Sequence, residues 1–404
     1  MASHYPIDTA KTEQLQQWEA EFAAQYQRFR DAGLNLDLTR GKPNSAQLAL
    51  SDRLDGILAG DFRAADGTDT RNYGGLDGLQ EAKALFAPVL GVAEDEILVG
   101  GNSSLTLMYQ AVQFSLLHGI PERRAAWQQD GERVKFLCPV PGYDRHFSIC
   151  EQLGIEMIPV PMNEHGPDMD MVEQRVADDP AIKGIWCVPR FSNPTGIVYS
   201  DAVIKRLAEL PDQAGPHFRV FCDNAYAVHT LNDDAPPLCN VMDAFKAAGN
   251  ADALLLFGST SKITHAGAGV AFMGATPAVL KGFLRLLGVE QIGPDKVNQL
   301  RHVRLLKSPD GIHAHMRGHA ALLQPRFDIV LRHLNSGLKD GYGHWTEPQG
   351  GYFVSFDTRP GLARTVVRLA ADAGVKLTPA GATFPYGKDP QDRNIRIAPS
   401  VPSL

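Results

Sequence analysis

Five short apolar runs, each ending in a polar turn, constrain this chain more than any other feature. They are Ile97-Leu98-Val99, Phe136-Leu137-Cys138, Ile185-Trp186-Cys187-Val188, Val220-Phe221-Cys222 and Leu254-Leu255-Leu256-Phe257. Runs this short, without polar alternation, read as strands buried on both faces. Helical patterns lie between them; residues 103–117 carry Leu105, Met108, Val112 and Leu116 on one face. Strands alternating with helices predict an α/β fold, a mostly parallel sheet flanked by helices with right-handed crossovers.

The two ends of the chain read differently. Residues 12–30 place Leu15, Trp18, Phe22, Tyr26 and Phe29 at helical spacing, a stripe expected to pack on the body. Residues 36–43 form an extended segment entering a Gly/Pro turn, and residues 71–78 a glycine-rich loop before a helix near 79–90. Beyond residue 307 come a helical stretch at 320–334 interrupted by Pro325, a strand at 352–356, a helix near 362–373 and a strand at 394–398. The expectation is a large domain at 56–306 and a smaller α+β domain built from both termini, 1–55 and 307–404.

Composition narrows the partners. A net charge of −7 over 404 residues argues against nucleic acid or an anionic membrane surface. No apolar stretch approaches the ~20 residues of a membrane span, and Met1 to Pro6 show no export signal. The five cysteines (Cys138, Cys150, Cys187, Cys222, Cys239) lack metal-site spacing and read as reduced thiols of a cytoplasmic protein, with no metal expected.

In open α/β sheets ligands sit beyond the carboxyl ends of the strands, and here each end carries unusual polar residues. After residue 99 comes Gly100-Gly101-Asn102-Ser103-Ser104, opening a helix: glycines and hydroxyls that suit a phosphate, or a plain serine cap. Tyr143 follows the second run and offers an aromatic plate, while Asn193 lies in the turn after the third. Asp223 ends the fourth run, where a buried carboxylate wants a cation or N–H partner; Tyr226 adds a phenol. Lys262 follows Gly258-Ser259-Thr260-Ser261 after the fifth, where desolvation lowers an amine's pKa toward that of a nucleophile. Phosphate cradle, aromatic plate, carboxylate, phenol and lysine together describe a pocket for pyridoxal 5′-phosphate.

Four motifs then carry a resemblance: Ser192-Asn193-Pro194-Thr195-Gly196, Asp223-x-x-Tyr226, Ser259-x-Ser261-Lys262 and Asn394-Ile395-Arg396-Ile397. In order and spacing the chain resembles the fold-type I pyridoxal-phosphate enzymes, specifically class I aminotransferases of the aspartate aminotransferase type, from about residue 36 to 399. Leu38-Thr39-Arg40-Gly41-Lys42-Pro43 and Ser259-Thr260-Ser261-Lys262-Ile263-Thr264 look closest to a divergent bacterial branch. The resemblance implies that Lys262 holds the cofactor as a Schiff base and shuttles the proton. It implies that Asp223 pairs with the pyridine nitrogen, that Asn193 and Tyr226 bond the phenolic oxygen, and that Tyr143 stacks on the ring. Asn102, Ser103, Ser104 and Ser259 would surround the phosphate, with Tyr73 reaching in from the second subunit of a homodimer whose sites are shared. Gly41, Asn193 and Arg396 would hold the substrate α-carboxylate. The implied reaction is transamination between aspartate or glutamate and 2-oxoglutarate or oxaloacetate. Alanine or aromatic aminotransfer, and carbon–sulfur lysis, are the alternatives.

One departure stands out. The family usually has an arginine eight residues after the lysine, and here that position is Val270, so the phosphate charge must be met elsewhere. Ser259-Thr260-Ser261-Lys262 also fits the Ser-x-x-Lys of penicillin-binding hydrolases, but the downstream Ser-Asp-Asn and Lys-Thr-Gly are missing. A second substrate carboxylate needs its own cation. Arg145, two residues past Tyr143, would share its side of an extended segment. Arg40, Lys42 and Arg190 compete for that role.

Overall fold

The computed structural model describes residues 7–121, 125–338 and 341–403. Met1 to Pro6, read above for an export signal, lie outside the described residues. Helix α1 (Thr12–Asp31), strand β1 (Leu36–Leu38) and helix α2 (Ser45–Ala49) open the chain. Helix α3 (Gln80–Leu90) leads into β2 (Ile97–Val99), α4 (Ser104–Leu117), β3 (Lys135–Val140), α5 (Asp144–Gln152), β4 (Glu156–Asn163) and β5 (Gly166–Pro167). Next come α6 (Met169–Asp178), β6 (Ile182–Cys187), α7 (Asp201–Glu209), β7 (Arg219–Asp223), α8 (Val241–Ala247) and β8 (Leu254–Ser259). They are followed by β9 (Ala271–Gly274), α9 (Pro277–Glu290), α10 (Lys296–Leu306) and the long α11 (Pro309–Gly337). The chain closes with β10 (Gly343–Trp345), β11 (Val354–Thr358), α12 (Ala363–Asp372), β12 (Val375–Leu377) and β13 (Asn394–Ile397).

Eight strands form the central sheet in the order β2-β9-β8-β7-β6-β3-β4-β5. Strands β4, β3, β6, β7 and β8 pair in parallel; β9 runs antiparallel between β8 and β2, and β5 antiparallel against β4. Because side chains alternate along a strand, each run feeds two cores. Leu137, Ile185, Val220 and Leu256 pack on one face, Phe136, Trp186, Phe221 and Phe257 on the other. Gly258 lies where a Cβ would come 2.4 Å from the Phe272 ring, so no larger residue fits that crossing. A three-stranded antiparallel sheet, β10-β11-β13, forms beside this body, and β1 pairs in parallel with β12, tying the two ends of the chain together.

Two readings are corrected. Pro325 does not interrupt its helix: α11 runs unbroken for 29 residues, since buried Leu323 and Phe327 hold it on either side of the missing donor. The stripe of α1 packs on the body only in part: Trp18 and Tyr26 are half-buried and Tyr26 gives its hydroxyl proton to the Leu369 carbonyl, whereas Leu15, Phe22 and Phe29 stay exposed. Residues 271–274, to which the sequence reading assigned no element, form β9.

Four histidines fasten the segment that follows β8. His315 and His319 on α11 both direct Nε2 at the Ile263 carbonyl, each at 2.8 Å. Thr264 Oγ1 lies 2.8 Å from Nε2 of His302, and His229 Nε2 lies 3.3 Å from the Lys262 carbonyl. Burial holds these rings neutral, lowering His229 to about 3 and both His302 and His319 to about 4. In the unfolded chain they take up protons near ~6.5. Their contribution is therefore complete above ~6.5 and is lost as the pH falls toward 4. The melting midpoint should drop by several degrees over that window, and His319→Gln should flatten the dependence; a differential scanning fluorimetry series in pH measures both.

Candidate active site

The carboxyl ends of β3, β6, β7 and β8, together with the start of α4, β13 and the turn after β1, surround one cavity of about 230 Å³. Its wall includes Gly41, Ser104, Tyr143, Asn193, Asp223, Tyr226, Lys262 and Arg396, brought together from positions up to 355 residues apart (396 − 41).

Lys262 sits one turn past the end of β8, in a segment whose backbone is already committed. Thr260 N–H donates to the Val270 carbonyl at 2.8 Å, and Ile263 and Thr264 donate back to Thr260. Lys262 Nζ lies 4.9 Å from the Tyr226 ring centroid. Burial lowers its pKa below the ordinary lysine value, and the negative charge of Asp223 opposes that shift. The result is an amine more readily neutral than a surface lysine, yet with a carboxylate nearby to favour its charged form.

Asp223 is the last residue of β7 and 3% exposed. Oδ2 lies 3.1 Å from His146 Nε2, whose N–H donates to it; Oδ1 is buried without a donor among the described residues. The His146 ring lies flat on Trp186, centroids 4.4 Å apart and 6° from parallel. Tyr143 meets the same imidazole edge-on at 5.0 Å. Burial, then the charge of Asp223, pushes the Tyr143 phenol up to about 12. Burial likewise raises the Tyr226 phenol well above its ordinary value, so both phenols stay protonated donors through the neutral range.

Arg396 projects from β13 with its side chain 5% exposed. Nη1 donates to Asp144 Oδ1 at 3.0 Å and to Asn193 Oδ1 at 3.3 Å, and the guanidinium lies 4.9 Å over the Phe353 ring. Gly41 fits because a Cβ there would come 2.6 Å from that ring.

At the start of α4, Ser103 occupies the capping position without a side-chain bond to the helix, and Ser104 opens the first turn. Ser261 Oγ donates to the Asn102 carbonyl at 3.4 Å, and Ser259 Oγ accepts from Ser261 N–H at 3.4 Å. Hydroxyls, an amide and the unpaired N–H groups of a 14-residue helix therefore converge. Val270 is buried in the core and supplies no charge, its N–H donating to Thr260 Oγ1.

Five sequence-predicted residues do not line this cavity: Asn102, Ser103 and Ser259 at the α4 end, and Tyr73 and Arg145. Tyr73 is 83% exposed on a loop that Lys296 ties down through the Asn72 and Gly74 carbonyls. Arg145 does not line the cavity, and the argument for it fails: residues 144–152 are helical, so Arg145 does not share a side with Tyr143 as in a strand. Arg190 is turned away as well, donating to the Ala227 carbonyl at 2.6 Å. Arg40 and Lys42 do line the cavity, exposed at its edge. The reading from sequence missed His146, Asp144 and His229. His146 had a signal: three residues after Tyr143 on a helix, it shares that residue's face.

A family model described as aspartate amino-transferase matches residues 10–404. An aspartate aminotransferase of Corynebacterium glutamicum is 47% identical over 394 residues, spanning 97% of this chain and 90% of that protein. The crystal structure of an aspartate transaminase from C. glutamicum superposes with a TM-score of 0.94 at 46% identity, covering 99% of this chain and 94% of its own. An α-aminoadipate aminotransferase of Thermus thermophilus, solved with N-(5′-phosphopyridoxyl)-L-leucine, shares the fold at a TM-score of 0.74 and 22% identity, over 93% and 90% of the two chains. A chain whose lysine, carboxylate and arginine meet in one cavity, and whose fold and length match these proteins, belongs to the aspartate amino-transferase family.

Proposed function

We propose that this aminotransferase moves the amino group of aspartate or glutamate to a 2-oxo acid, 2-oxoglutarate or oxaloacetate, with pyridoxal 5′-phosphate as cofactor. The observation that carries the reading is Asp223: a buried carboxylate with one oxygen unpaired, on the wall that also holds Lys262 and Arg396. A protonated pyridine nitrogen is a donor of the kind that oxygen lacks. Bound there, the cofactor supplies an electron-withdrawing ring that stabilises negative charge at the substrate Cα.

Each role then follows from chemistry on the wall. Lys262 Nζ would hold the cofactor aldehyde, and as a free amine it would carry the proton from the substrate Cα. His146, fixed on Trp186, keeps Asp223 in place by donating to Oδ2. Asn193 and Tyr226 donate to the ring oxygen, and Tyr143 covers the ring face. Asn102, Ser103, Ser104 and Ser259 with the α4 N–H groups hold the phosphate, and Tyr73 of a partner subunit completes that site in a homodimer. Arg396, Asn193 and the backbone at Gly41 receive the α-carboxylate. Residues 56–306 form the cofactor-binding domain, and 1–55 with 307–404 the smaller one. No described helix is long and apolar enough to cross a membrane, and the cytoplasm is the expected compartment.

For the second carboxylate the cations on the wall are Arg40 and Lys42, not Arg145. Neither makes an ion pair among the described residues, so both are available to an acid.

Lys262→Ala should keep the fold but give no borohydride-stable cofactor adduct and no measurable transamination; mass spectrometry of the reduced protein decides. Asp223→Asn should bind cofactor yet lose several orders of magnitude in single-turnover rate, because the ring nitrogen loses its anionic partner. Arg40→Leu should lower kcat/KM for aspartate by roughly tens to a thousandfold, the range of a truncated charge pair, with alanine far less affected. Arg145→Leu should leave the aspartate-to-alanine ratio where it was.

A further inference from the structure

Arg396 does not wait with a bare guanidinium. Nη1 donates to Asp144 and Asn193, Nη2 to the Thr39 carbonyl at 3.4 Å, and Nε to Thr378 Oγ1 at 3.4 Å. Among these partners Asp144 alone bears charge, at 3.0 Å, and its side chain is 31% exposed against 5% for Arg396. The edge of the guanidinium that a carboxylate would seek therefore already carries one.

We propose that Asp144 is a built-in occupant of the carboxylate site, held on Arg396 in the resting protein and displaced by the carboxylate of the substrate. The proposal rests on the reading above that Arg396 receives that carboxylate. Two acids cannot both engage one guanidinium without meeting each other's charge, so the incoming group must move the resident one. Asp144 has somewhere to go. It lies in the first turn of α5, where free N–H groups and the helix dipole favour an anion, and water reaches it. Two consequences follow. A nearly buried arginine is never left without a counter-charge, which would be costly in an empty site. An amine without a carboxylate gains nothing from Arg396, because it cannot replace Asp144, so the pair acts as a threshold against such ligands. Asp144 is in this sense a specificity residue, acting through the arginine it covers.

The test titrates the holoenzyme with succinate, a dicarboxylate without an amino group, by calorimetry, comparing wild type with Asp144→Asn, Asp144→Ala and Arg396→Leu. Both Asp144 variants should bind succinate on the order of tenfold tighter and show a lower KM for aspartate. Without ligand they should melt below wild type, since Arg396 has lost its partner, and succinate should raise their melting midpoint more than it raises that of wild type. The Asn variant keeps the shape of the residue should Ala not fold. If Arg396→Leu abolishes binding but neither Asp144 variant tightens it, Asp144 merely orients the arginine and the proposal is overturned. If Arg396→Leu binds succinate as wild type does, the carboxylate reading of Arg396 fails and takes the proposal with it.

Discussion

A carboxylate carried into an apolar interior is the constraint on which this site depends. Asp223 ends a strand whose other residues are fully buried, so its charge is stabilised by a few exact partners and not by water. One partner is built in. His146 reaches it from α5, and the imidazole can do so only because Trp186, on the neighbouring β6, gives it a flat surface to lie on. The chain of contacts Trp186–His146–Asp223 runs from the core to the cavity wall, and the wall inherits the rigidity of the core. The other oxygen is buried without a donor among the described residues.

The lysine is placed by a different device. Its turn is short and polar, and on its own would have many conformations. What removes them is backbone bonding to the strand-like segment at Val270 and four imidazoles from β7's following loop, α10 and α11. Position 270 thus serves the turn, through its N–H and carbonyl, and the side chain there only fills the core. A charge at that site would have to leave the core to be useful. At the start of α4 there are N–H groups and hydroxyls, of a kind that favours an anion without bringing a formal charge.

The cavity also balances its own electrostatics before any ligand is present. Lys262 faces Asp223, and Arg396 is covered by Asp144, so each buried cation has an acid within reach. Arg40 and Lys42, exposed at the edge, need no such partner because water solvates them. This division separates groups that must be exchanged for ligand contacts from groups that are free to make new ones.

The sequence by itself determined the class of the fold and most of the polar residues that line the cavity. The five apolar runs became strands of the central sheet, and many residues that face the cavity come at the ends of these runs, so position along the chain maps onto position at one sheet edge. Lys262, Asp223, Asn193, Tyr143 and Ser104 were legible for that reason. What it left open depended on contacts between distant segments. Arg145 was placed by assuming an extended backbone, and a helix begun at Asp144 turned it elsewhere while bringing Asp144 to Arg396 and His146 to Asp223. The partly exposed stripe of α1 and the unbroken α11 show the same limit: periodicity says which residues share a face, and proline says which donor is missing. Neither says what surface lies opposite. Only the tertiary structure decided those pairings, because they join residues 77 and 252 positions apart whose attraction exists only once the chain has folded.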